Sequence, residues 1–125
     1  MTADLSLDPG HAELDNQDAN CWNAITPNGA FVYASNAGTS NISGFSIGQN
    51  GALTALTSSS VVATNPENAT NLDITTSGDG KFFYSLNAMT GTVGVFAIQS
   101  NGTLKEVDEI SGFTAAVGFN GIAAL

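Results

Sequence analysis

Apolar positions along this chain fall into short runs that alternate with polar ones or stand together, as in Phe31-Val32-Tyr33-Ala34 and Phe82-Phe83-Tyr84. No stretch of ten residues repeats apolar positions at helical spacing, and the frequent Gly, Val, Ile and Thr oppose helix. The runs follow Asn28-Gly29, Asn50-Gly51, Asp79-Gly80 and Asn101-Gly102. Such dipeptides supply the positive φ that tight hairpins require. The pattern predicts an all-β chain of short hairpin-linked strands.

The sequence also matches itself at an offset of 51 residues. That shift lays Gly29 on Gly80, Phe31 on Phe82, Tyr33 on Tyr84, Asn36 on Asn87, Phe45 on Phe96, Ile47 on Ile98 and Leu53 on Leu104, without a gap. Each unit then reads as four strands. The first is innermost and runs into the Asn-Gly or Asp-Gly turn; the others are predicted at 31–35, 42–47 and 52–57, and again at 82–86, 93–98 and 103–107. Four-stranded antiparallel units of this length are the signature of propeller blades. Residues 121–125 align with the start of a blade, so the predicted fold is a partial β-propeller, two four-stranded antiparallel blades plus the first strand of a third. The expected divisions are an acidic leader at 1–20, open to serving as an outer strand of a preceding blade, then blades at 21–70 and 71–120, and a closing innermost strand at 121–125.

Charge narrows the range of partners. Two Lys and no Arg face eleven acids, a formal net charge of −9. Lys81 and Lys105 alone cannot build a phosphate-neutralising surface, which argues against nucleic acid and anionic membrane and places any phosphorylated ligand on backbone N–H groups. The apolar runs are far shorter than a membrane helix needs, and residues 1–14 show neither the basic nor the apolar region of a signal peptide. The chain reads as soluble, and its Asn-, Ser-, Thr- and Gly-rich, charge-poor composition leans toward a compartment outside the cytoplasm. Sequons at Asn41, Asn68 and Asn101 are expected by chance in such a sequence and carry no weight.

Candidate chemistry is sparse. Gly44-Phe45-Ser46-Ile47-Gly48 satisfies the nucleophile-elbow pattern, but Ser46 falls inside a predicted strand, no helix follows, and its repeat counterpart is Ala97. His11 is the sole histidine, precedes the repeats, and reads as solvated or locally hydrogen-bonded. The five leader acids Asp4, Asp8, Glu13, Asp15 and Asp18 lack the ligand alternation and central Gly of a calcium loop, so a solvated acidic lead-in is expected. Cys21, the single cysteine, excludes an intrachain disulfide and is expected to be a small buried residue. Asn36 and Asn87 end equivalent strands, where an Asn side chain satisfies loose backbone groups. Trp22 and Asp73 are repeat counterparts on the two innermost strands. Either they line a central channel and touch a ligand, or Trp22 packs between blades and Asp73 bonds backbone. No catalytic residue, metal site or cofactor is assigned.

The segments Tyr33-Ala34-Ser35-Asn36 and Tyr84-Ser85-Leu86-Asn87, each followed by a Gly-containing strand, resemble the Tyr-Val-Thr-Asn type of propeller repeat. Cys21-Trp22-Asn23-Ala24-Ile25-Thr26-Pro27-Asn28-Gly29, the Gly-x-Leu-Thr stretch from Gly51 to Thr54, and Asn71-Leu72-Asp73-Ile74 are similar to the last blades of the lactonase family of seven-bladed propellers. That family includes 6-phosphogluconolactonases and carboxymuconate-lactonising enzymes. The resemblance covers most of the chain from Asn20 onward and implies a substrate, a lactone or sugar acid, held over the central channel. It carries no catalytic residue onto this sequence, which lacks Arg altogether. The leading expectation is a binding or structural propeller module, with lactone hydrolysis in a completed ring as the alternative and an extracellular adhesion repeat as a third. The expected partners are further blades or other copies of the chain.

Overall fold

The computed structural model describes residues 15–118 and 120–125. His11 and the acids before Asp15 lie outside the described residues. Among the described residues nine strands form two antiparallel sheets: β1 (Asn20–Ile25), β2 (Phe31–Asn36), β3 (Asn41–Ile47), β4 (Leu53–Ala55) and β5 (Val61–Thr64) in the first, and β6 (Asn71–Thr76), β7 (Phe82–Asn87), β8 (Thr92–Ile98) and β9 (Leu104–Ile110) in the second. Strand order follows chain order, β1-β2-β3 with β4 and β5 both on the far edge of β3, and β6-β7-β8-β9.

The 51-residue offset holds in the pairing itself. Phe31 faces Ser46 and Phe82 faces Ala97; Tyr33 faces Gly44 and Tyr84 faces Val95; Asn36 faces Asn41 and Asn87 faces Thr92. Even the irregularity in the first ladder recurs, between Asn20 and Trp22 in one sheet and between Asn71 and Asp73 in the other.

The hairpin turns show why the strands start where they do. Asn28 Oδ1 accepts from Thr26 Oγ1 at 2.7 Å and from the Ala30 N–H at 3.0 Å, while Gly29 takes φ +70°. Asp79 Oδ1 does the same with Ser77 Oγ at 2.7 Å and the Lys81 N–H at 3.0 Å, beside Gly80 at φ +71°. The Ser77 hydroxyl first, then the Lys81 N–H and the Lys81 ammonium 3.4 Å away, hold the Asp79 carboxyl below the usual carboxylate range. A depressed carboxylate contributes its stabilisation above its unfolded pKa and loses it as pH falls through its folded pKa. In an NMR titration down to strongly acidic pH, the Lys81 amide is therefore expected to shift as Asp79 protonates. The Ala30 amide, held by the non-titrating Asn28, should stay put.

The outer strand of the first sheet departs from expectation. Instead of one strand at 52–57, β4 is short and is followed by a turn at 56–60 and a further strand, β5, which also pairs with β3. Gly44 explains the break. With no Cβ it lets Val62 and Leu56 lie where a Cβ would be 2.8 and 3.1 Å from them, and its backbone bonds both Leu56 N–H and Ser60 O. Leu56 thereby turns inward against the core. In the second sheet β9 is continuous and longer than expected.

Among the described residues, 121–125, the expected closing strand, carry no strand pairing. They still lie where such a strand would: the Ile122 N–H reaches Asp73 on β6, and the Leu125 carbonyl carbon sits against Gly78. The core lies between the two sheets and consists of Tyr33, Ile42, Ile74, Phe83 and Phe96. Tyr33 meets Phe83 edge-on at 5.1 Å, and Phe83 meets Phe96 at 6.0 Å, the geometry that the aromatic quadrupole favours.

Candidate functional site

The two sheets approach along β1 and β6, where Thr76 Oγ1 on β6 donates to the Ile25 carbonyl on β1 at 3.3 Å. The inner strands carry both candidate residues. Asp73 is 4% exposed. Its Oδ1 accepts from the Ile74 N–H and its Oδ2 from the Ile122 N–H, each at 2.8 Å. Both oxygens thus serve backbone, and the carboxylate ties residues 121–125 to β6. Trp22 occupies the equivalent register position but is 51% exposed rather than packed between sheets. Its backbone is fixed by Ser35 Oγ, which accepts from the Trp22 N–H at 3.1 Å. The indole is therefore displayed on a rigid strand, while no described contact joins it to Asp73.

Cys21 is exposed, against the expectation of burial. It falls at the ladder irregularity of β1, which turns it away from the sheet, and its Sγ donates to the Ala19 carbonyl at 3.2 Å. Ser46 sits in β3 with its hydroxyl on the Thr54 carbonyl at 3.3 Å, so the elbow pattern is ordinary strand.

At the opposite end of the strands from the Asn-Gly and Asp-Gly turns lies a polar network that sequence reasoning only half found. Asn36, fully buried, donates to Asn41 Oδ1 at 2.8 Å and to Ser43 Oγ at 2.9 Å. Asn71 Nδ2 crosses from the second sheet to the Asn41 carbonyl at 3.0 Å. Ser43 reaches Asp15 Oδ2 at 3.2 Å, and Asn41 donates to Gln17 Oε1 at 2.7 Å. The end of the leader is thus built into the first sheet rather than simply solvated. No repeat signal points to it, since the counterpart of Asp15 is Pro66. In the second sheet the counterpart network is smaller, Asn87 Nδ2 donating to Thr92 Oγ1 at 3.2 Å.

Two clefts flank this frame. One, of about 290 Å³, opens between the two hairpin turns and is lined by Thr26, Asn28, Phe31, Asp79, Ile98 and Gln99. The other, of about 210 Å³, lies on the outer face of the first sheet over Val32, Phe45 and Leu53, with Asn23 and Asp15 at its margin. Among the described residues no three His, Cys, Asp or Glu side chains converge as metal ligands, and no helix is long and apolar enough to cross a membrane.

Two antiparallel sheets of the same repeat, the first with its fourth position shared by β4 and β5 and the second four-stranded, packed face to face with their first strands closest, are adjacent blades of a β-propeller. The sequence profile described as "Lactonase, 7-bladed beta-propeller" matches residues 2–112, and the chain belongs to that family. Solved structures agree. The periplasmic gluconolactonase of Pseudomonas aeruginosa is 25% identical, with a TM-score of 0.65 over 82% of this chain and 28% of its own. A putative 6-phosphogluconolactonase from Bacteroides fragilis is 27% identical, with a TM-score of 0.64 over 76% of this chain and 28% of that one. A protein from Lactobacillus plantarum is 27% identical, with a TM-score of 0.64 over 86% and 30%. The chain therefore spans less than a third of the length of these structures. No curated protein matches it significantly.

Proposed function

We propose that this chain is a binding and structural module of a lactonase-type propeller, contributing two blades and a section of channel wall, and that it does not hydrolyse lactones by itself. The state of Asp73 carries this reading. It is the carboxylate that the inner strands offer as a base, and both its oxygens are committed to backbone N–H groups. A general base must come within hydrogen-bond reach of the water it activates; a carboxylate 4% exposed and held by two backbone N–H groups offers water little access, and the chain has no Arg to add to backbone donors at a developing oxyanion. The net charge of −9 also favours a neutral lactone over a phosphorylated or carboxylated ligand near this wall. Trp22, half-exposed on β1, offers an apolar face to such a ring.

A second reading, hydrolysis of a sugar lactone in a completed ring, draws support from the likeness to the P. aeruginosa periplasmic gluconolactonase. The same likeness and the charge-poor, Asn- and Ser-rich composition favour a place outside the cytoplasm. The test is hydrolysis of glucono-δ-lactone by the purified chain, followed by acid release at constant pH. The expected result is the uncatalysed rate. Turnover that vanishes in Asp73→Ala would overturn the module reading and promote the second.

A further inference from the structure

The contact between the two sheets leaves both of its halves repeated, 51 residues away, on the outer faces of the molecule. Inside the chain, Tyr33 packs on Phe83, and its hydroxyl donates to the Gly102 carbonyl at 2.7 Å. Phe31 lies so close to Gly102 that a Cβ there would be 2.5 Å from its Cδ1. The counterparts of Phe31 and Tyr33 are Phe82 and Tyr84, on the open face of the second sheet, where Phe82 is 37% exposed and Tyr84 is half-buried. The counterparts of Phe83, Phe96 and Leu104, which receive the first sheet, are Val32, Phe45 and Leu53, and these line the outer cleft of about 210 Å³. The counterpart of Gly102 is Gly51. The two glycines share a left-handed backbone, φ +86° and +80°, but nothing lies within 4 Å of the Cβ position at Gly51.

We propose that the open face of the second sheet docks into the outer cleft of the first sheet of a second copy of this chain, so that copies join head to tail. The interface continues the one within the chain. Phe82 of one copy covers Gly51 of the next, the Tyr84 hydroxyl donates to the Gly51 carbonyl, and the ring of Tyr84 fills the cleft over Val32 and Phe45. Residues 121–125 hold the ground that positions 19–23 of the incoming copy need, two repeat lengths back. They have no strand ladder, and the Ile122 N–H to Asp73 bond is their described tie to β6, so the incoming strand displaces them. Such a contact is heterologous, because each copy uses two different faces, and it builds a ring where the rotation closes and an open chain where it does not. Since every copy carries a net charge of −9, added salt strengthens the association by screening their repulsion.

Sedimentation velocity on the full chain at micromolar concentration tests this, with Tyr84→Lys to block the donating face and Leu53→Lys to block the receiving one. The wild type is expected to give species larger than a dimer, increasing with concentration and with salt. Each variant alone should be monomeric, and an equimolar mixture of the two should form a one-to-one dimer through the faces left intact. Tyr84→Phe, which keeps the ring, should associate roughly two- to tenfold more weakly than wild type, the share of one hydrogen bond. This conservative variant reads the contact if either lysine variant has lost its cooperative melt. A wild type that stays monomeric would overturn the proposal. So would Tyr84→Phe associating as wild type does, or folded lysine variants that do not complement each other when mixed.

Discussion

Tyr33→Ala is expected to lower the unfolding free energy by about 3–5 kcal/mol, the range seen when a buried aromatic ring is truncated. Tyr33, on β2 of the first sheet, is fully buried and ties it to the second, through its ring on Phe83 and its hydroxyl on the Gly102 carbonyl. Its truncation removes the edge-on aromatic contact and opens a cavity at the centre of the core. Burial also raises the Tyr33 phenol above its ordinary pKa, so it remains the neutral donor that the Gly102 carbonyl needs. Tyr33→Phe keeps the ring and leaves that carbonyl without its donor, for an expected loss of about 1–2 kcal/mol. Tyr84→Ala, at the equivalent position on the open face, should cost far less in a single copy, because no sheet among the described residues covers it. Urea unfolding midpoints of the three variants check the order. A Tyr84→Ala loss as large as that of Tyr33→Ala would mean that the core does not lie between the sheets.

Gly102→Ala and Gly51→Ala should separate in the same way. Both residues sit in left-handed backbone, so alanine costs each about 1–2 kcal/mol. At Gly102 the new methyl also meets Phe31 at 2.5 Å and Leu56 Cδ1 at 2.9 Å. Overpacking of this kind adds about 1–3 kcal/mol. At Gly51 the methyl enters open space in a single copy. The expected result is a clearly lower thermal midpoint for Gly102→Ala than for Gly51→Ala, measured below the concentration at which copies associate. Equal midpoints would show that the Phe31 side chain moves aside freely and that the turn is not clamped by the first sheet.

Much of this architecture is written in local sequence. The turns at Asn28-Gly29 and Asp79-Gly80 are fixed by residues two apart, an Asx side chain caught by the hydroxyl before it and the N–H after it. The strands follow from alternation and from β-branched and aromatic residues. The 51-residue offset fixed their register, because a ladder begun at equivalent turns with equivalent alternation pairs equivalent residues. These determinants lie within a few positions of the residue they place, which is why one sequence sufficed to read them and the family they resemble. The split outer strand was less legible. It depends on Gly44 being a strand position over which Leu56 folds inward, a contact between side chains of different strands.

Of the candidate site, the sequence located Trp22 and Asp73 on equivalent inner strands but could not say what each would meet. Asp73 is occupied because residues 121–125 return to it from 49 positions away, and Trp22 is left half-open because nothing described closes over it. Asp15 and Gln17 joined a buried Asn network through contacts of 28 and 24 residues that leave no trace in spacing. Tyr33 and Tyr84 draw the distinction most simply. The sequence by itself gave them the same strand, turn and register, since these depend on neighbours along the chain. Only the tertiary structure made one the buried centre of the core and left the other partly buried on the open face, because burial is decided by whether another sheet lies against that face.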